Sequence, residues 1–191
     1  MKPILNIGLV LFFAAGVLSA EEGQEDYTLA QSFTLKDVKG AEVTLDSLLQ
    51  IGPVYMEFWD LPCVNCIAEL DALMPIYDTL KERGLQIVAL SVDKPSDEAR
   101  VKAFVKSKKW PYICLLDAQN EVKKAYGIII KPTAYLINQQ GEIVYTHIGY
   151  KKGDEQRIKA EFLKWLPEEP AEEPAEEPGN EPVEESHGED E

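Results

Sequence analysis

Histidine is nearly missing from this chain of 191 residues: there are two, His147 and His187, beside three cysteines, Cys63, Cys66 and Cys114. A structural zinc cage needs four thiols or imidazoles at ligand spacing. Cys114 stands alone in an apolar run and neither histidine is spaced to complete a set, so such a cage is excluded. Arginine is also scarce, limited to Arg83, Arg100 and Arg157, and the formal charge is −15. No basic stripe is dense enough to displace phosphate counterions, which excludes nucleic-acid binding. No apolar run reaches the ~20 residues of a comfortable membrane span. The strongest, residues 4–18, is short for that purpose.

The two ends differ from the middle. MKPILNIGLVLFFAAGVLSA, residues 1–20, has one basic residue, an apolar stretch and small residues at its end. That is the layout of a secretory signal cleaved after Ala20; an uncleaved anchor is the alternative. Residues 21–30 read as a linker. Residues 167–191 contain 12 acids, no Lys or Arg, and a repeating EEPA pattern. Proline and dense like charge oppose collapse, so an extended, disordered tail is expected there. Residues 21–166 hold 22 acidic and 18 basic residues, a net charge of −4, so most of the excess charge belongs to the tail. Export brings an oxidising compartment in which cysteines pair. An odd count leaves one over, and Cys114, set among apolar residues, reads as a small core side chain.

The middle alternates strands and helices. SFTLKDVKGAEVTLDSLL suggests a hairpin, with Phe33 and Leu35, then Val43 and Leu45, alternating with polar residues around Lys39-Gly40. PVYMEFW, residues 53–59, fits a buried strand. A helix is predicted from about Cys63 to Arg83, closed by Gly84 and bent or broken at Pro75. LQIVALSVD, 85–93, is a second strand. Ser96 is a candidate N-cap for a helix running to about Ser107. YICLLD is a short strand and EVKKAYG a short helix. TAYLIN and EIVYTHIG are two strands joined by QQG, followed by a helix over 154–166. Helices between buried strands imply an α/β fold, a central mixed sheet with helices on both faces. Met56, Phe58, Trp59, Phe104 and Trp110 read as core or near-core. His147, in the last strand, reads as a surface or packed residue.

The chemistry concentrates at FWDLPCVNCIAEL. A C-x-x-C at a helix start, straight after a strand, places the first thiol where unpaired N–H groups and the helix dipole stabilise a thiolate. The second, one turn on, can resolve a mixed disulfide. Cys63 is the candidate nucleophile and Cys66 the resolving thiol; a purely structural disulfide is the competing reading.

Three motifs, FWDLPCVNCIAEL, SFTLKDVKGAEVTLDSL and KPTAYLINQQGEIVYTHIG, resemble the thioredoxin superfamily, specifically its TlpA/ResA-type extracytoplasmic thiol–disulfide oxidoreductases. The resemblance runs from Ser32 to Gly149. It implies a thioredoxin-like domain over 31–166 with an N-terminal β-hairpin, and a redox-active Cys63/Cys66 pair. Pro132 matches the family's cis-proline, which presents the Lys131 backbone to an extended substrate. Glu69 matches an acid near the thiols, and Glu57 the buried acid under the second cysteine. Either is a candidate proton acceptor for Cys66; a solvent-facing position is the alternative for each.

This chain departs from the family pattern at Pro62, where tryptophan is usual, and at Lys131 before the proline. Pro62, Lys131 and Pro132 are the expected substrate-binding positions. The resemblance implies a monomer needing no cofactor, a disulfide-containing protein substrate, a membrane-embedded thiol electron donor, and a periplasmic or otherwise extracytoplasmic location. Service to cytochrome c maturation or envelope thiol balance would fit. A thiol peroxidase on the same fold would need Thr or Ser where Asp60 stands, with an arginine nearby. A copper carrier would space its cysteines by three residues and add a histidine.

Overall fold

The computed structural model describes residues 27–168. The expected signal, the first part of the linker and nearly all of the acidic tail lie outside the described residues. The described chain builds one eight-stranded mixed sheet in the order β1-β8-β7-β4-β5-β6-β2-β3. The strands are β1 (Thr28–Leu29), β2 (Thr34–Asp37), β3 (Glu42–Thr44), β4 (Val54–Trp59), β5 (Gln86–Ser91), β6 (Ile113–Leu116), β7 (Thr133–Ile137) and β8 (Glu142–Ile148). The helices are α1 (Leu45–Leu49), α2 (Val64–Leu80), α3 (Glu98–Lys108), α4 (Glu121–Ala125) and α5 (Asp154–Trp165).

Strands β4, β5 and β6 run parallel, and β7 returns antiparallel to β4. Parallel strands need crossovers, and both faces of such a sheet must then be covered. Every residue of β4 and β5 is accordingly buried. Side chains alternate across the sheet, and the alternation sorts them into two cores. Tyr55, Trp59, Ile87 and Ala89 pack with residues of α2, α3 and α5, among them Leu70, Leu73, Val101, Ile158 and Phe162. Val54, Met56, Phe58, Val88 and Leu90 pack with Leu45 and Leu48 of α1 and Val122 of α4. The architecture is the thioredoxin-like α/β fold with helices on both faces.

Several local expectations need correction. The hairpin forms, but its second arm ends at Thr44 and Leu45 opens α1. T-L-D-S is a capping box: the Thr44 hydroxyl accepts the Ser47 N–H at 3.1 Å and the Ser47 hydroxyl accepts the Thr44 N–H at 3.3 Å. Those two satisfied donors outweigh the apolar alternation of Val43 and Leu45. Ser96 is not a cap; it lies in a 3₁₀ turn over Pro95–Asp97, and α3 begins after Asp97. Pro75 neither ends nor interrupts α2. Strand β1 lies inside the stretch read as linker 21–30 and edges the sheet against β8.

The end of α2 is set by a close approach. A 3₁₀ turn follows it and Gly84 closes that turn at φ +98°. Gly52 packs so tightly on Gly84 that a Cβ there would stand 2.1 Å from the Gly84 carbonyl oxygen. The pairing brings the α2–β5 corner down onto the start of β4.

Candidate redox site

Strand β4 ends at Trp59 and a three-residue loop leads into α2. Cys63 occupies the N-cap position of α2, and its Sγ accepts the Cys66 N–H at 3.3 Å. The two sulfurs form a disulfide across one turn, with Cα atoms 5.3 Å apart. Cys63 is half-buried and Cys66 fully buried. One sulfur therefore faces visiting molecules while the other is approached only from within. Cys114 is a free, buried core thiol, and burial pushes its pKa up to about 12.

The loop before Cys63 is braced from two sides. The Asp93 carboxylate, just past β5, accepts the Leu61 N–H at 3.2 Å and the Ser91 hydroxyl at 2.9 Å. The Asp60 carboxylate pairs with the Lys131 ammonium. Lys131 precedes Pro132 across a cis peptide bond. Register places Thr133 opposite Phe58, so Pro132 sits at the end of the sheet from which the cysteine loop departs. Lys131 is thus a tie between the proline loop and the cysteine loop. Its charge is already met by Asp60. Pro62 is exposed at the rim.

Exposed apolar side chains gather at this same end. Val64 lies between the cysteines, 76 % exposed, and Ile129 and Ile130 precede Lys131 at 92 % and 60 %. Ile148, opposite Thr133, is 62 % exposed.

Beneath α2 lies the opposite environment. Glu57 and Glu69 are both fully buried rather than solvent-facing. Glu57 is flanked by Ala89 and Ala134, its direct partners on β5 and β7. Those small neighbours leave room for a carboxyl but offer it nothing, and neither Glu57 oxygen has a hydrogen-bond partner. Burial pushes its carboxyl well above the usual carboxylate range, and the neighbouring Glu69 charge adds to the rise. Glu69 differs because Tyr55 donates to its Oε1 at 2.6 Å. Burial raises Glu69, the Tyr55 bond pulls it back and Asp154 lifts it, leaving it at about 7. Both buried carboxyls thus hold a proton more tightly than an ordinary carboxylate, and Glu69, at about 7, can exchange one near neutrality.

His147, read from sequence as a surface or packed residue, is buried beside this pair. Its Nε2 lies 3.6 Å from Glu69 Oε2, and Tyr145 stands 3.4 Å from its Nδ1. The register explains the meeting: Glu57 pairs with Ala134 and Ala134 with His147, so all three share a face. Tyr55, Asp93 and the tie from Asp60 to Lys131 also went unseen in the sequence, because each acts across strands. Among the described residues no group of three or more His, Cys, Asp or Glu is placed to hold a metal.

Comparison with known proteins concerns the domain as a whole. Residues 28–146 match the AhpC/TSA family. A thiol-disulfide oxidoreductase ResA of Bacillus cereus is 31 % identical over 138 residues, covering 72 % of this chain and 77 % of that protein. A ResA of Halalkalibacterium halodurans is 33 % identical over 140 residues, covering 73 % and 76 %. Among solved structures, StoA from Bacillus subtilis aligns with a TM-score of 0.58 at 26 % identity, over 69 % of this chain and 96 % of that one. A putative thiol:disulfide interchange protein DsbE from Chlorobium tepidum shares the fold, with a TM-score of 0.66 at 23 % identity over 72 % and 95 %.

Proposed function

The chain belongs to the AhpC/TSA family and is a thioredoxin-like thiol–disulfide oxidoreductase; from that premise we propose that it reduces protein disulfides outside the cytoplasm, with Cys63 as nucleophile and Cys66 as resolving thiol. The observation that carries this reading is the asymmetry of the pair: a half-exposed sulfur at a helix tip bonded to a fully buried one.

In the reduced protein the Cys63 thiolate is held by the N-terminal N–H groups of α2. It attacks a substrate disulfide, forming a Cys63–substrate disulfide and releasing the other substrate sulfur as thiolate. Cys66 then gives its proton to a base and attacks the Cys63 sulfur. The bond to substrate breaks, a second substrate thiolate leaves, and the Cys63–Cys66 disulfide forms. Cys66 is sealed from water, so its proton needs an internal acceptor. Glu69 is that acceptor in this proposal: it lies one turn after Cys66 on α2, and its pKa of about 7 suits exchange at neutral pH. Glu57, whose carboxyl is also raised by burial, is its neighbour. Pro62, Lys131 and Pro132 border the substrate path, and the exposed isoleucines beside them suit a partly unfolded, disulfide-bearing segment.

The sequence of residues 1–20 supports export, and no described helix is long and apolar enough to cross a membrane. An oxidised pair in that compartment must be re-reduced, for which a membrane-embedded dithiol donor is the fitting partner. Apocytochrome c and other envelope proteins are fitting substrates. Residues 1–20 then serve as signal and 167–191 as appendage, and the catalytic domain begins with β1 at Thr28 rather than at 31. Peroxidase chemistry is disfavoured because Asp60, not a hydroxyl residue, stands three before Cys63, and Arg100 is engaged by Asp97.

The test is disulfide reduction by the full chain with Cys63→Ser and Cys66→Ser variants, together with the pair's reduction potential. Cys63→Ser is expected to be inert and Cys66→Ser to accumulate mixed disulfides with its substrates. A potential near the −270 mV end of the superfamily's range, about −270 to −120 mV, supports a reductant. One near −120 mV overturns the reducing direction, and unimpaired reduction by Cys63→Ser overturns the assignment of the nucleophile.

A further inference from the structure

Five buried polar side-chain atoms among the described residues lack a hydrogen-bond partner: both Glu57 oxygens, Trp59 Nε1, Glu69 Oε2 and His147 Nε2. The last two face each other across 3.6 Å. Leaving two such buried groups unpaired is costly, and a single proton between them removes both penalties. The imidazole's other nitrogen, Nδ1, faces the Tyr145 hydroxyl, which can donate or accept.

The four groups in line, Tyr55, Glu69, His147 and Tyr145, admit two self-consistent arrangements. With Glu69 ionised, His147 carries its proton on Nε2 and points it at Oε2, while the Tyr145 hydroxyl donates to Nδ1. With Glu69 protonated on Oε2, that proton points at a bare Nε2. The imidazole then carries its hydrogen on Nδ1 and donates to the Tyr145 oxygen. Tyr55 donates to Oε1 in both. Burial favours the neutral ring: it lowers the imidazole pKa, Asp154 raises it and Arg157 lowers it. The charged and titratable groups facing the ring are thus Glu69 from α2, Tyr145 beside it on β8, and Asp154 and Arg157 from α5. Glu57 and Tyr55 of β4 lie on the same sheet face, and β7 contributes only Ala134 and Leu136 there.

We propose that His147 is a positioning residue for the resolving step, switching tautomer with the protonation of Glu69 and so holding that carboxyl ready to take the Cys66 proton. This rests on Glu69 being the acceptor in the proposed reaction. The proton count is closed: Cys66 loses one proton, Glu69 gains one, and His147 carries one N–H before and after, on Nε2 while Glu69 is ionised and on Nδ1 once it is protonated. Ionised Glu69 gains the stronger, charge-assisted bond from Nε2–H. His147 therefore favours the basic form of Glu69 and keeps its pKa from rising further.

The test reads the tautomer directly. The full chain, labelled with ¹⁵N-histidine, is followed by long-range ¹H–¹⁵N correlation from pH 5 to 9, with His187→Asn resolving the assignment. The expected result is a change from Nδ1–H to Nε2–H with a midpoint near 7, following Glu69. In Glu69→Gln the ring is expected to hold one tautomer across the range. One fixed tautomer in the unmodified chain overturns the proposal, as does an ordinary imidazolium titration that persists in Glu69→Gln. A second measurement uses a preformed mixed disulfide on Cys63 and follows its resolution by Cys66. With His147→Phe the pH midpoint of resolution is expected to rise by about one unit, a tenfold slower step below it, while the attack of Cys63 on substrate is unchanged. If the two profiles superpose and Cys63→Ser is still inert, only the role of His147 fails. If the unmodified chain exchanges no disulfide at all, the proposed function itself fails.

Discussion

At the scale of single residues, the buried carboxyls make stability depend on pH in an unusual direction. Glu57 and Glu69 are raised in the fold above their unfolded value of 4.5, chiefly by burial. The native state therefore keeps protons that the unfolded chain gives up. Their stabilisation is complete below pH ~4.5 and falls as pH rises, by about 1.4 kcal/mol per unit for each retained proton. For Glu69 the fall ends near 7; Glu57 adds its own fall up to its raised folded-state pKa. Urea unfolding of the oxidised protein from pH 5 to 8 is expected to show this decline. Glu57→Gln should flatten it, because the amide has no proton to hold. An unchanged slope would mean that Glu57 is ionised in the folded protein and that Glu69 alone accounts for the effect.

At the scale of elements, the corner between α2 and β5 carries a second expectation. Gly52→Ala places a methyl 2.1 Å from the Gly84 carbonyl oxygen, and backbone cannot yield as a side chain can. Overpacking of this kind costs about 1–3 kcal/mol, measurable as a lower urea midpoint with the fold retained. A midpoint equal to that of the unmodified chain would show the corner to be loose. Thr44→Ala should cost ~1 kcal/mol through the lost cap of α1. That cap also shows where sequence reading falls short. Val43 and Leu45 alternate as a strand does, yet two local hydrogen bonds turn the chain at Thr44. Strands β4 and β5 were legible because unbroken apolar runs specify burial on both faces. Helix α2 was legible from its spacing and from Gly84. Cys63 and Cys66 stood out by their spacing at a helix start, whereas Pro132, Glu57 and Glu69 were singled out only through the family resemblance of the motifs that hold them. His147 could not, since it reaches Glu69 only through the pairing of β4 with β7 and of β7 with β8, which no local window contains.

At the scale of the whole molecule, polarity is divided by position. The acidic excess lies mainly in residues 167–191, whereas Val64, Ile129 and Ile130 are exposed at the cysteine end of the sheet, where Lys131 is paired with Asp60. A substrate is then held through apolar contact more than through charge. Ending the chain after Glu168 should leave reductase activity intact; a collapse would give the tail a part in catalysis. The sharper expectation concerns Ile129, which at 92 % exposure stabilises nothing in the folded protein. Covering such a side chain on association is worth about 1.5–3 kcal/mol, and an aspartate there forfeits that contact. Ile129→Asp should therefore leave the unfolding midpoint unchanged. It should lower kcat/KM for a protein disulfide by roughly tenfold or more, chiefly through KM. A small disulfide such as oxidised glutathione, which lacks a protein's apolar contact surface, should react at the unmodified rate. Equal losses for both substrates would place the defect at the sulfurs, and no loss for either would move the docking surface away from the proline loop.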